Sequence, residues 1–480
     1  MLLLAAVLLT ASMHFPGSVE AAPTSVASPA AVGTSDRTHD DLQRASEQGG
    51  SVARSDDPDH VGALHGEALL DALTDLSAPD LRRAVADGSR VQTTVLDDPP
   101  TASETASWWS TLTRVDQERL VDVAPQVVGS LEGVPYDVRD VANRTYLARA
   151  AKRIDSDGAA ETSESAMIGQ IQVSLADTAP GDPRKELLTV DLRGTGRASI
   201  AIGDLDTARD VTVLVPGMFF TVTGQLHDWT DTGVDLYREQ ATLTPAADAL
   251  VARTVSTTGA VGSAAGVPTV GQGSGVAVIA WMGYRTPDLS NVMSLSLAHE
   301  GAPRLERVIS GLDLMRADHA PRVSIVAHSY GSTTSLMALA TGRIHVDSLT
   351  VIGSPGSTIA HSSSLAVPTG QVFVGNAHWD PIAGTGYFGT DPGSKSFGAT
   401  VLDLDGGADP VDADDVFRQP RGHNDYLKAG TASLHDIALI AIGRSDLIQA
   451  GTSGDGPDGR DGSGSPQFLV VRPQDLALRD

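Results

Sequence analysis

Val323-Ser324-Ile325-Val326-Ala327-His328-Ser329-Tyr330-Gly331 is the stretch on which the reading of this chain turns. An apolar, β-branched run ends in small-x-Ser-x-Gly, and Ser332 to Ala340 continue with helical character. A strand that passes straight into a helix around a serine is a nucleophile elbow. The turn is tight enough that the residues two before and two after the serine must be small. Gly331 meets that demand, and Ala327 stands where glycine is more usual. Such a turn lifts the Ser329 hydroxyl above the sheet at a helix N-terminus, where free N–H groups favour developing negative charge. The pentapeptide alone recurs by chance, so its weight comes from the strand before it and the helix after it. The plain alternative is a serine N-cap on an ordinary helix.

Working outward from Ser329, the first need is an oxyanion hole. One donor is the backbone N–H of the following residue, Tyr330. The second comes from the loop after an earlier strand, and Val213-Leu214-Val215-Pro216-Gly217-Met218 supplies a strand followed by a glycine. The Met218 N–H is the candidate, against an ordinary Pro-Gly turn. In the hydrolase order the acid and then the histidine follow the serine. Asp380, in the loop after the strand Gln371–Val374, is expected at the C-terminal edge of the sheet, where sites collect. Asp347 precedes its strand and falls at the wrong edge; Asp403 and Asp405 are the alternatives to Asp380. For the base, His423 stands in the polar loop Arg421-Gly422-His423-Asn424-Asp425-Tyr426, whereas His435 falls within an apolar helix pattern. His328 and His378 read as packing or pocket residues.

The strands that frame these loops read as Glu186–Leu192, Ala198–Ile202, Val211–Val215, Val276–Trp281, Val323–Ala327, Leu349–Ile352, Gln371–Val374 and Thr400–Leu404. Short apolar runs of this kind, alternating with helical patterns such as Leu305, Val308, Ile309, Leu312 and Met315, imply a mostly parallel sheet with helices on both faces. Before it, Leu69, Leu70, Leu73 and Leu76 mark one helix face, and Leu112, Val115, Leu120 and Val123 a further helix. The division expected is a signal peptide over 1–21, a flexible lead over 22–60, a helical domain over 61–165, the catalytic α/β domain over 166–450 and a Gly/Ser/Asp-rich tail over 451–480.

Composition narrows the functions. A net charge of −26, from 60 acidic against 34 basic residues, repels phosphate backbones and argues against nucleic-acid binding. The absence of cysteine excludes a thiol nucleophile, thiolate metal sites and disulfides. Asp403-Leu404-Asp405-Gly406-Gly407-Ala408-Asp409 faintly suggests a calcium loop, but position twelve is Asp414 and the glycine is out of phase, so a solvated acidic loop is the reading. The chemistry of a serine triad requires no metal and no organic cofactor.

Several blocks together resemble the actinobacterial alpha/beta-hydrolase family 8, first catalogued as a domain of unknown function. They are Trp108-Trp109 with Leu112, Arg119 and Pro125; Gly129 to Pro135; Arg139-Asp140 and Ala142-Asn143-Arg144; Val215 to Met218; Trp281 to Tyr284; Ala327 to Gly331; and Gly422 to Tyr426. The resemblance implies the alpha/beta-hydrolase fold, with a Ser-Asp-His triad on Ser329, Asp380 and His423 and a helical segment before the core. The departure is Ala327. The tryptophan pair and the Asn143-Arg144 block either line a pocket or anchor the helices on the core. The function expected is hydrolysis of a carboxylic ester or related acyl bond of a small or lipid-like substrate. Acyl transfer by the same triad and a non-catalytic interaction module on this scaffold are the alternatives.

Leu2–Leu9 is an apolar run too short to span a bilayer but suited to a secretory signal, although no basic residue precedes it. With Val19-Glu20-Ala21 as the cleavage site, the protein is expected to be secreted or envelope-associated, with no membrane span after processing. N-terminal sequencing of secreted protein should begin between Ala21 and Pro23; recovery with Met1 intact would reject the signal peptide.

Overall fold

The computed structural model describes residues 61–157, 162–176, 182–258, 275–408 and 416–448. The signal peptide, the lead, the tail and the Asp409–Asp414 end of the acidic loop lie outside them. Helices come first: α1 (Gly66–Asp75), α2 (Ala78–Ala84), α3 (Arg90–Asp97), α4 (Ala102–Thr111), α5 (Arg114–Val123), the single turn α6 (Pro125–Val128), the long α7 (Tyr136–Asp157) and α8 (Ser163–Leu175). Several of the short helices open on a hydroxyl three residues before its partner amide: Ser77 accepts from the Asp80 N–H, Ser89 from Gln92, Thr101 from Glu104 and Thr113 from Asp116. Caps of this kind are worth about 1 kcal/mol each and set where one helix stops and the next begins. They explain a departure from the pattern Leu112–Val123. Thr113 starts a new helix, so Leu112 ends α4, and Val115 points to solvent, 73% exposed.

The strands are β1 (Lys185–Asp191), β2 (Arg197–Gly203), β3 (Asp210–Val215), β4 (Val276–Met282), β5 (Arg322–His328), β6 (Ser348–Ile352), β7 (Val372–Gly375) and β8 (Thr400–Val401). They form one sheet in the order β1-β2-β4-β3-β5-β6-β7-β8. The β1–β2 and β2–β4 pairs are antiparallel and every pair from β4 to β8 is parallel. The run expected to end at Leu404 stops at Val401, after which Leu402 makes a last bond to Val374 and the chain turns away. Helices α9 (Val222–Thr258) and α12 (Ala432–Ala441) share one apolar cluster with one face of the sheet. Helices α10 (Ser296–Met315) and α11 (Tyr330–Ala340) share another with the opposite face. Burial on both faces is what makes β3, β4 and β5 continuous apolar runs. The position expected for the domain boundary, residue 165, falls inside α8, whose Met167, Ile168 and Ile171 belong to the sheet cluster.

The block Arg139-Asp140-Ala142-Asn143-Arg144 lies on α7 against the free edge of β1. Asp140 accepts from the Leu187 N–H, Asn143 donates to Leu187 O, Arg139 to Leu188 O and Arg144 to Lys185 O. An exposed strand edge invites pairing with other chains; here side chains of one helix satisfy it. The block therefore anchors the helices to the core. Trp108 and Trp109 are buried within the helical cluster, with Trp108 Nε1 donating to Thr74. Arg139 also makes a two-pronged pair with Glu132, with only 1% of its own side chain exposed and 14% of its partner's. Removing the cation from such a pair leaves an uncompensated buried charge, costing about 3–5 kcal/mol. Arg139→Met should lower unfolding stability by that order in urea titrations; a loss below about 1 kcal/mol would mean the pair is not what holds α7 to β1.

Candidate active site

Strand β5 ends at His328 and α11 begins at Tyr330, so one residue makes the whole turn. That residue, Ser329, has φ 53° and ψ −127°. For a side chain larger than glycine this backbone costs about 1–3 kcal/mol and persists only when neighbours enforce it. The neighbours are close. A Cβ on Gly331 would stand 2.4 Å from Pro216 O, and one on Gly217 would stand 2.6 Å from the Ser329 Cβ. The Ser329 N–H donates to Ile352 O at 2.9 Å, tying the turn to β6. The elbow and the loop after β3 therefore interlock, and the Gly217–Met218 segment lies against the serine.

Asp380 and His423 arrive on two other loops and meet Ser329. His423 Nε2 lies 2.8 Å from Ser329 Oγ, and His423 Nδ1 lies 3.0 and 3.1 Å from the two Asp380 carboxylate oxygens. All three are buried, at 2%, 5% and 0% exposure for Ser329, His423 and Asp380. Asp380 Oδ1 also accepts from the N–H groups of Ile382 and Ala383, and Oδ2 from the Tyr426 hydroxyl at 2.6 Å. Burial opposes ionisation of this carboxyl, yet the adjacent His423 and these hydrogen bonds outweigh it and hold the group down at about 2. Asp380 is thus ionised at neutral pH and fixes a proton on His423 Nδ1, leaving Nε2 as the acceptor that faces the Ser329 hydroxyl.

Of the other residues weighed, Asp347 accepts from the Val323 N–H at the start of β5, at the opposite edge from Ser329. Asp403 accepts from the Asp405 N–H, and Asp405 accepts from Gln419. Neither touches His423. His435 pairs with Glu239 and stacks on Phe417. Among the described residues no cluster of histidines and carboxylates is arranged to hold a metal, and no helix is long and apolar enough to cross a membrane.

Tyr426, to which the sequence assigned no role, and His328, read there as a packing or pocket residue, hold Asp380 and His423 in place. Tyr426, three residues after His423, bridges Asp380 and the Ala377 N–H. His328 packs its ring 4.7 Å from that of His423 and places Nε2 2.7 Å from the His423 carbonyl oxygen. A carbonyl only accepts, so this nitrogen carries the proton. Tyr426 could have been suspected from its place in the Gly422–Tyr426 block; nothing in the sequence marks a main-chain partner for His328.

Beside Ser329 runs a cleft of about 350 Å³, including its open mouth, walled chiefly by Met218, Val292, Met293, Ile382, Tyr387 and Phe388. The loop after β4 braces it: Tyr284 donates to Pro216 O, Thr286 to Phe220 O, and the Tyr330 hydroxyl to Ser294 O.

A family model described as alpha/beta hydrolase matches residues 191–390, a span that contains Ser329 and Asp380 and ends before His423. An uncharacterized protein of Mycobacterium tuberculosis strain H37Rv is 29% identical over 402 residues, covering 72% of this chain and 56% of that protein. This chain thus spans little more than half that relative's length. An uncharacterized protein of Mycobacterium bovis is 30% identical over 245 residues, covering 49% of this chain and 84% of that one. Among solved structures, an S-formylglutathione hydrolase from Agrobacterium tumefaciens aligns over 57% of this chain and 99% of its own, at 9% identity and TM-score 0.32. A dienelactone hydrolase-like promiscuous phosphotriesterase from metagenomic libraries aligns over 56% and 100%, at 13% identity and TM-score 0.30.

Burial pushes His328 down to about 3, with the neighbouring His423 acting in the same direction. In the unfolded chain a histidine takes its proton near pH 6.5. As pH falls, the unfolded state therefore binds this proton first. The stabilisation is complete above about 6.5 and is lost progressively down to about 3. Asp380, depressed from 3.8 to about 2, acts in a separate and lower window, its contribution lost as pH falls through that range. Urea unfolding at pH 7.0, 5.5 and 4.5 should show wild type losing on the order of 2 kcal/mol more than His328→Asn over that interval. Equal losses would mean that His328 takes up its proton in the folded protein at an ordinary pH.

Proposed function

The chain belongs to the alpha/beta-hydrolase family, and from that premise we propose that it is a serine hydrolase that cleaves a carboxylic ester or related acyl bond through an acyl-enzyme on Ser329. The observation that carries the reading is the unbroken run of contacts Ser329 Oγ–His423 Nε2–Asp380, at 2.8 Å and 3.0 Å, in a buried site. His423 takes the hydroxyl proton as Oγ attacks the acyl carbon, and Asp380 stabilises the imidazolium that results. The oxyanion then faces the Tyr330 N–H, at the start of α11, and the Met218 N–H, on the loop pressed against Ser329. A preorganised donor of this sort contributes about 3 kcal/mol of transition-state stabilisation.

Collapse of the intermediate breaks the bond to the leaving group, which takes the proton from His423. Water repeats the sequence on the acyl-enzyme: it gives a proton to His423, attacks the acyl carbon, and Ser329 Oγ recovers the proton as the acid departs. No step calls for a metal or an organic cofactor. Export is proposed on the Leu2–Leu9 run and the Val19-Glu20-Ala21 cleavage site.

A fluorophosphonate probe, which needs an activated serine, tests the assignment. Wild type should label and Ser329→Ala should not. Asp380→Asn should stay folded while hydrolysis of short p-nitrophenyl esters falls about 10⁴-fold, as loss of the orienting acid does elsewhere. Labelling that survives Ser329→Ala, or a folded wild type that never labels, would overturn the reading.

A further inference from the structure

Away from the cleft, four arginines gather where the helical segment meets the sheet. Arg193 and Arg197 belong to the β1–β2 hairpin, and Arg304 and Arg307 lie about one turn apart on α10. The last residue of α3 supplies a carboxylate to three of them. Asp97 Oδ1 accepts from Arg193, Arg197 and Arg304 at 3.0, 3.2 and 3.0 Å, and Oδ2 accepts from Arg193 at 3.0 Å. Asp191 accepts from Arg193 and Arg197, and Arg304 also donates to Leu96 O.

Arg307 stands apart from this pairing: it makes no hydrogen bond or ion pair with any described residue. The carboxylates whose charge it feels are engaged elsewhere, Glu132 by Arg139, Asp98 by His65 and Glu306 by Arg343. Four guanidinium groups therefore share two carboxylates, Asp97 and Asp191, which leaves two positive charges in excess. Burial and the like charges of Arg197 and Arg307 bring Arg304 down to about 10 in spite of Asp97. Burial and Arg197 lower Arg307 as well, against the pull of Glu132. Shifts in this direction belong to cations short of counter-charge. The excess is local, in a chain whose net charge is −26. It is also within reach of solvent. Arg307 is partly exposed, and none of its unpaired nitrogens is a buried atom.

We propose that Arg304 and Arg307, together with Arg193 and Arg197, bind a phosphate-type dianion, free or carried as a monoester on a larger molecule. Guanidinium forks take the oxygens of a phosphate group in pairs, and its two charges match the excess. Arg197 opens β2 beside the C-terminal end of β4, where Ala198 pairs with Met282, so the site shares the sheet edge of the elbow. Helix α10 connects the two: the Ala298 N–H donates to the Tyr330 hydroxyl fewer than two turns before Arg304. An anion held here contacts the hairpin and α10 at once, and binding to the folded state alone stabilises it. The inference is independent of the serine-hydrolase reading.

Isothermal titration of the full chain tests it, with inorganic phosphate and glycerol 1-phosphate at about pH 8, where both are dianions, and at constant ionic strength set with sodium chloride. Co-sedimentation with phosphatidylcholine vesicles, with and without phosphatidic acid, presents the same group on a lipid. Wild type should bind at least one phosphate form more tightly than acetate, and Ser329→Ala should bind it equally well. Arg304→Gln and Arg307→Gln should each weaken that binding roughly tenfold, and Arg307→Lys should retain part of it. Arg307 makes no bond of its own, so Arg307→Gln without phosphate should unfold at the wild-type temperature, which separates lost binding from lost fold. Binding in solution identifies a small phosphate or phosphate ester, and sedimentation only with phosphatidic acid a lipid headgroup; both support the site. Failure to bind any phosphate form, acetate bound as tightly, or Arg307→Gln binding like wild type overturns the inference. Binding lost in Ser329→Ala would place the anion in the cleft and overturn it too.

Discussion

Close approach of two backbone turns, the one after β3 and the one after β5, is the constraint from which the rest of the site follows. Gly331 lies so near Pro216 O, and Gly217 so near Ser329, that neither position admits a side chain. The two strands are direct neighbours in the sheet, with Val215 opposite Ala327. Parallel registry brings their ends to the same level, and the missing side chains let the ends touch. Ser329 is thereby forced to positive φ, and its hydroxyl cannot withdraw into the sheet. A loosened elbow would lose the serine's orientation and the Met218 loop together, because each is the wall that confines the other.

Asp380 and His423 are held by a different device, main-chain hydrogen bonds between their loops. The Gly422 N–H donates to His378 O, in a bridge that pairs His378 with Arg421. His328 holds the His423 carbonyl from below, and Tyr426 links the Asp380 carboxylate to the Ala377 N–H. The Ser329–His423–Asp380 contacts therefore depend on backbone that is itself fixed at both ends. Under the proposed serine-hydrolase mechanism such support matters, because a base displaced by about 1 Å can cost about 10²-fold in rate.

What could be read in the sequence follows from how far each signal reaches along the chain. The elbow is local: strand, serine, glycine and helix all fall within Val323–Ala340, and tight turns restrict composition strongly. Asp380 and His423 were legible because the order of elements in the fold limits where an acid and a base can stand. The sheet strands were legible because burial on both faces leaves continuous apolar runs. The long helix α9 was less so: its buried Val222, Leu226, Trp229 and Leu236 stand at helical spacing, but threonines and aspartates lie between them and Pro245 lies within the helix. Likewise, the exposed Val115 imitated a buried position because a helix break at Leu112 shifted the phase. Contacts made to main-chain atoms, such as His328 to His423 O or Asn143 to Leu187 O, select no particular partner residue and so leave no pairwise pattern to find.

Strain in the backbone marks the same place as the Ser329–His423–Asp380 contacts. Among the described residues, the non-glycine positions with positive φ are Phe219, Ser329 and Trp379. They follow β3, β5 and β7, and each adjoins a residue of the site: Met218, Tyr330 and Asp380. A conformation of this kind is retained only where surrounding contacts overdetermine it. Here those contacts are the interlocked turns, the Phe219 N–H held by Pro287 O, and the Asp380 N–H held by Ala377 O. The antiparallel edge, with α7 bonded along β1, lies on the opposite side of the sheet centre and shows no such strain. Rigidity supplied at that edge and at the packed faces can thus offset conformations that would not stand alone, and it leaves the C-terminal ends of β3, β5 and β7 free to hold Ser329, Asp380 and the loops around them.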